Sequence, residues 1–151
     1  MTENLQFSQE VKAALLKGDI RNANQLAGSV YNISGVVIHG DHLGRTLGFP
    51  TANLELPESC PFLPANGVYA VKVTVHEHTY KGMLNAGFRP TLGGKKLTIE
   101  VNLFDFSGDL YGMTLKVFFF DRLRDEKKFE SLDQLVQQIH RDKTEAIRLM
   151  S

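Results

Sequence analysis

Residues 97–104, LTIEVNLF, alternate without interruption: Leu97, Ile99, Val101 and Leu103 fall on one side, Thr98, Glu100 and Asn102 on the other. An extended chain turns successive side chains to opposite faces, so this period of two predicts a strand with one apolar face. Residues 67–76, GVYAVKVTVH, repeat the pattern with Tyr69, Val71, Val73 and Val75. Outward from these, a Val-Val-Ile run lies between Tyr31 and His39, TLKVFFF spans 114–120, and a short strand is expected from Thr79 to Leu84. Turn signals at Ala65-Asn66-Gly67, Gly93-Gly94 and Ser107-Gly108-Asp109 separate these stretches. Regularly spaced short strands without intervening helices predict an antiparallel barrel or sandwich. Closure into a barrel removes the exposed edges.

The two ends read as helix. Ser8 can cap a first helix with Val11, Ala14 and Leu15 as its stripe and Gly18 as its stop. Asp19 can cap a second, with Ile20, Ala23, Leu26 and Ala27 apolar and Gly28 closing it. Helices this short are not stable alone, so the hairpin over residues 1–30 must dock on the remainder. Ser131 with Gln134 forms a capping box, followed by Leu132, Leu135, Val136, Ile139, Ala146 and Ile147 at helical spacing. The expected organisation is a helical hairpin over 1–30 and a barrel with a C-terminal helix over 31–151.

The 151 residues suit one domain with a sizeable core, and 42% apolar with 23% charged residues is an ordinary globular balance. Seventeen basic residues offset seventeen acidic ones, and the segments 1–34, 35–120 and 121–151 are each balanced in themselves, so no basic patch suggests a nucleic-acid partner. Cys60 stands alone, which excludes an internal disulfide and a CxxC site. The opening MTENLQFSQE lacks a basic stretch leading into an apolar one, and no apolar run is long enough for a membrane span. A cytoplasmic monomer without nucleic-acid or membrane partners is the expectation.

Chemistry concentrates between Gly40 and Leu54, GDHLGRTLGFPTANL. Glycines let backbone approach a ligand and aim successive N–H groups at an anion, although a surface loop has the same composition. Neither a Walker A loop nor a Rossmann turn is present. Thr51 and Asn53 would share a side in extended chain and offer hard oxygens suited to magnesium, while a turn bonded to its own backbone fits the spacing better. Glu100 projects opposite the apolar stripe of its strand, as a solvated carboxylate or, on a partly covered barrel face, a general base. His39 and His42 have metal-like spacing only on a helix, which this segment is not. The mixed-sign run Arg122 to Lys128 reads as solvated surface and Phe118 to Phe120 as core.

In order, GVVIHGDHLGRTLGFPTANL, GVYAV, LNAGFRPT, IEVNLFDFSGDLYG and FFDRLRDEKKFESLDQLVQQI resemble riboflavin kinase from about Ile33 to Met150. The resemblance implies a six-stranded antiparallel Greek-key β-barrel with a C-terminal helix. It also implies transfer of the γ-phosphoryl group of ATP to the 5′-hydroxyl of riboflavin. By that likeness Thr51 and Asn53 serve magnesium and the nucleotide phosphates, Gly40, Gly44, Arg45 and Gly48 lie over the nucleotide, and Glu100 is the base. Arg124, Leu123 and Glu126 become flavin contacts. Asn102 stands where the family often has histidine, which is expected to alter the face beside Glu100. The segment EVKAALLKGDIRNANQLAGSVYNISG resembles the junction of bifunctional chains that also adenylylate FMN to FAD. The HxGH-type motif of that second activity is absent, so no FAD synthesis is expected. A non-catalytic flavin or nucleotide sensor is the alternative, disfavoured because a sensor has no chemical need of Glu100; a plain interaction barrel leaves GFPTAN without a purpose.

Overall fold

A computed structural model describes residues 8–38, 51–57 and 63–150. Helices α1 (Gln9–Lys17) and α2 (Ile20–Ala27) precede strands β1 (Asn32–Ile38), β2 (Ala52–Glu55), β3 (Gly67–Val75), β4 (His78–Thr91), β5 (Gly94–Leu103) and β6 (Thr114–Arg124). Helix α3 (Leu132–Leu149) follows. All neighbouring strands run antiparallel and close in the order β1-β2-β5-β4-β3-β6, the expected six-stranded barrel. No helix among the described residues is long and apolar enough to cross a membrane.

Alternation fills the interior. Ile33 and Val37, Ala52 and Leu54, Tyr69, Val71 and Val73, Leu84 and Ala86, Ile99 and Val101, and Leu115, Val117 and Phe119 point inward and are buried. Strand β3 is buried on both faces from Gly67 to Val71, because α3 covers the outside. There Ala70, Met83, Phe104, Ala146 and Met150 form a second apolar cluster, joined by Phe120, Leu123, Ile139 and Ile147. Leu132, expected in the stripe of α3, is exposed instead. The cap of α3 forms as expected, with Ser131 Oγ accepting from the Gln134 amide at 3.2 Å. Its reciprocal half is shifted by one residue: Gln134 Oε1 accepts from the amide of Glu130.

Two strand expectations need correction. Ala52–Glu55 is a strand rather than a turn, because β1 and β5 pair with it on either side and satisfy its backbone. The short strand expected over Thr79–Leu84 runs to Thr91, since β5 begins at Gly94 and gives the extra length a partner.

The N-terminal hairpin belongs to the same core. Val11, Ala14, Leu15, Ile20 and Ala23 pack with the barrel residues, whereas Leu26 of the predicted stripe stays exposed. Asn24 donates to the Phe119 carbonyl at 2.8 Å and accepts from the Tyr31 amide at 2.9 Å, and Arg21 pairs with Asp121 at 2.8 Å. At the barrel end nearest the hairpin, Arg122 donates to the Asn66 carbonyl and the Tyr69 hydroxyl to that of Ala65. A methyl at Gly18, whose φ is +78°, would lie 2.6 Å from Arg122 Cδ. Glycine is therefore needed there both for its backbone and for the arginine stem beside it.

Burial raises the Tyr69 phenol above its ordinary value of 10, with Arg122 opposing the rise. The native state thus keeps a proton that the unfolded chain releases, so stability is complete below about pH 10 and falls as pH rises through the native pKa. Denaturant titrations from pH 8 to 11 are expected to show that decline. Tyr69→Phe should flatten it and cost about 1 kcal/mol at neutral pH through the lost bond to Ala65.

Candidate active site

The outer face of the barrel carries the site, and strand register fixes it. Asn53 of β2 pairs with Glu100 of β5, Glu100 with Asn85 of β4, Asn85 with Val68 of β3, and Val68 with Arg124 of β6. Paired residues of antiparallel strands point to the same face. Since Ala52, Leu54, Ile99, Val101, Leu84 and Ala86 point inward, this row points outward. It passes over five of the six strands of the closed barrel, so Asn53 and Glu100 stand on neighbouring strands while Arg124 lies three strands from Glu100 either way round. Thr51 continues the register one step beyond the Ala52–Val101 pair, on the side of Asn53 and toward buried Asn102.

Glu100 is half-buried and is flanked along its own strand by Thr98 and Asn102. Thr51, Asn53 and Glu100 together form an all-oxygen donor set with one carboxylate. That suits a hard divalent cation which keeps waters and phosphate oxygens as its other ligands. Among the described residues no cluster of three His, Cys, Asp or Glu side chains exists to hold a metal unaided. Gly40, Gly44, Arg45 and Gly48, with His39, His42 and Cys60, lie outside the described residues.

Arg124 reaches the outer face because β6 bulges. Arg122 pairs with Tyr69 and Arg124 with adjacent Val68, so Leu123 is the extra residue and the two arginines take opposite faces. The Arg124 guanidinium grips Asp142 of α3, with Nε 3.0 Å from each oxygen and a terminal nitrogen 2.8 Å from Oδ2. It also donates to the Asp125 carbonyl at 3.0 Å and lies 5.8 Å from the Phe129 ring centroid. Asp142 is only 5% exposed and accepts a further bond from Gln138 at 2.9 Å. Leu123 packs into the apolar cluster beneath α3. Glu126 is exposed, and its carboxylate lies over Gly87, where a methyl group would collide with it.

The run from Arg122 to Lys128 is therefore solvated only in part. Asp125 to Lys128 are exposed, but Arg122 and Arg124 are drawn inward by backbone carbonyls and by Asp142. Sequence reasoning missed Asp142, Asn85 and Gly87. The first had a readable signal, a lone acid among the helix positions facing the barrel; the other two become visible only through register. Asp142→Ala is expected to cost about 2–3 kcal/mol by stranding a half-buried guanidinium. It should also speed amide exchange over 125–129, measured by mass spectrometry; unchanged exchange would refute the anchoring role of Arg124.

Known proteins share this frame. Residues 27–150 match the family model described as riboflavin kinase. Bifunctional riboflavin kinase/FMN adenylyltransferases are 47% identical over 95% of this chain in Bacillus subtilis and 44% identical over 92% in Escherichia coli K12. The chain spans about half of those relatives, 46% and 44% of their lengths. A riboflavin kinase from Trypanosoma brucei superposes with a TM-score of 0.57 at 26% identity, covering 79% of this chain and 78% of its own. A crystal structure described as a macrolide-efflux protein from Streptococcus pneumoniae gives 0.86 at 41% identity, over 91% of this chain and 45% of its own. A shared barrel does not choose between such descriptions; side chains do.

Proposed function

We propose that this chain, which belongs to the riboflavin kinase family, transfers the γ-phosphoryl group of ATP to the 5′-hydroxyl of riboflavin, giving FMN and ADP. The observation that carries the proposal is the outer row from Asn53 through Glu100 and Asn85 to Arg124. Asn53 and Glu100, side by side on β2 and β5, suit the phosphate side and the reacting hydroxyl; Arg124 is given to the flavin ring by family likeness.

Phosphoryl transfer asks little covalent chemistry of a protein and much positioning. Glu100 accepts the proton of the 5′-hydroxyl as its oxygen bonds to the γ-phosphorus and the bond to the departing ADP breaks. Thr51 and Asn53 hold the phosphate side in line. Magnesium bound through their oxygens would supply charge neutralisation to the phosphates. Arg124, fixed by Asp142, and Glu126 over Gly87 form the flavin end. Leu123 would act from beneath, by setting the bulge that turns Arg124 outward. Glycines 40, 44 and 48 with Arg45 are assigned to the nucleotide by family likeness.

Purified protein with riboflavin, ATP and magnesium should yield FMN, resolved by chromatography and flavin fluorescence. Glu100→Gln is expected to lower kcat by about 10²- to 10⁴-fold with flavin binding retained; near-normal turnover would remove Glu100 from the role of base. With FMN as the flavin, no FAD should appear, since these 151 residues contain no HxGH-type motif. Flavin binding without turnover by the unaltered protein would favour a sensor instead.

A further inference from the structure

Strand β6 departs from regular pairing twice between Phe119 and Arg124. Phe119 pairs with Val71, Asp121 with Ala70, Arg122 with Tyr69 and Arg124 with Val68, so Phe120 and Leu123 are the extra residues. Both extra side chains pack against the apolar cluster beneath α3. A bulge interrupts the ladder and leaves its extra residue unpaired, so neighbouring groups must hold the strand out of regular alternation. On the other side of β6 those groups come from the N-terminal hairpin. Asn24 donates to the Phe119 carbonyl at 2.8 Å. Arg21 reaches Asp121 Oδ2 with two nitrogens, at 2.8 and 3.2 Å. Gly18 lies against the Arg122 stem, where a methyl group would be 2.6 Å from Cδ.

A hairpin that merely closed the barrel end would need only its apolar side, with Val11, Leu15 and Ile20 in the core. Yet among the described residues its two side chains that hydrogen-bond to a strand, Arg21 and Asn24, both go to the bulged stretch of β6. Asp121 is the junction. One carboxylate oxygen takes Arg21, and the other accepts the backbone amide of Arg122 at 2.8 Å. Asp121 is 22% exposed where Arg21 is 66% exposed, and charge-assisted bonds to a part-buried carboxylate hold it more firmly than a surface pair would. The contacts continue from there. Arg122 donates to Asp125 Oδ1 at 2.7 Å, and Arg124 turns outward to Asp142. Through one carboxylate and one guanidinium, the hairpin bears on the point where the 125–129 segment leaves the barrel.

We propose that the hairpin is a positioning element for the flavin end of the site: Asp121, held by Arg21, fixes the double bulge of β6 and with it the outward course of Arg124 and of residues 125–129. Asp121 touches no substrate in this scheme and acts through Arg122 and Arg124. The inference rests on the kinase reading for the flavin role of that segment.

The test is steady-state kinetics with each substrate varied in turn, joined to amide exchange over 125–129 measured by mass spectrometry. Asp121→Ala should raise the KM for riboflavin about three- to tenfold, keep kcat and the KM for ATP within about twofold, and speed exchange over 125–129. Asp121→Asn, which keeps an oxygen for the Arg122 amide, should recover most of the riboflavin KM. Arg21→Ala alters an exposed side chain and should raise the riboflavin KM about two- to threefold. In the Asp121→Ala background it should add nothing, because both changes act through one carboxylate. Equal shifts in the two KM values, an unchanged riboflavin KM in Asp121→Ala, or additive effects of the two substitutions overturn the proposal. Should Asp121→Ala not fold, Arg21→Ala decides alone: an unchanged riboflavin KM with unchanged exchange overturns it. In each of these cases FMN formation by the unaltered protein leaves the kinase reading intact. No FMN from the unaltered protein overturns that reading and the flavin role together, while exchange over 125–129 still tells whether the hairpin directs the segment.

Discussion

The constraint on which the rest depends is the register among β2, β5 and β4. Side chains alternate with a period of two, so a slip of one residue in β5 would send Glu100 into the core and expose Ile99 and Val101. Burial of that apolar stripe is what holds the carboxylate outside. Each fully buried aliphatic side chain contributes about 1.5–3 kcal/mol, and Leu54, Ile99, Val101, Leu84 and Ala86 all lie on the inner side of these three strands. No single functional contact approaches that sum. The short strand β2 is held in the barrel by pairing with β1 and β5 on its two sides, and through it Asn53 is set opposite Glu100. Chemistry on the outside is positioned by hydrophobicity on the inside.

Strand β6 solves a different problem with its two bulges. It pairs Phe119 with Val71, Asp121 with Ala70, Arg122 with Tyr69 and Arg124 with Val68, so the inner and outer faces are reached by unevenly spaced residues. Strict alternation would put Arg122 and Arg124 on one face. Instead Arg122 seals the barrel end against Gly18, Gly67 and Asn66, while Arg124 crosses to α3 and Asp142. One strand thereby ties the N-terminal hairpin to one side of the molecule and the C-terminal helix to the other. The segment 125–129 leaves from the point where both ties meet.

These details explain how far the sequence could be followed. The long strands were legible because LTIEVNLF and GVYAVKVTV alternate cleanly, and the helix caps because Ser8, Asp19 and Ser131 each sit before an apolar stripe. Strand β2 was not, since four residues after Pro50 and Thr51 carry too short a pattern to outweigh turn chemistry, and only partners distant in sequence make them a strand. The bulges of β6 were hidden because FFFDRLR shows no break in composition where alternation fails. Glu100 could be placed on the polar side of its strand, but whether that side faced water or a covered site depended on α3 and the 125–129 segment. Family likeness supplied roles for Thr51, Asn53 and Arg124 that spacing alone left open.

The described barrel interior is packed with aliphatic and aromatic side chains, Tyr69 and Phe119 the largest of them, so a site built from Asn53 and Glu100 lies on the outer face and needs another way to exclude water. The second apolar cluster meets that need on one flank: α3 packs Ala146, Ile147 and Met150 against Ala70, Met83 and Phe104, and the buried edge so made reaches Asn102 beside Glu100. The opposite flank is left to the 125–129 segment, which is mostly exposed and is held by Arg122 at Asp125, by Arg124 and at Gly87. One wall is therefore packed and one largely exposed. In the proposed reaction the packed wall would border Glu100, where a proton would be taken, and the exposed segment would border Arg124, where a planar ring would enter. A site that needs positioning at one end and passage at the other is served better by this asymmetry than by a pocket closed on all sides.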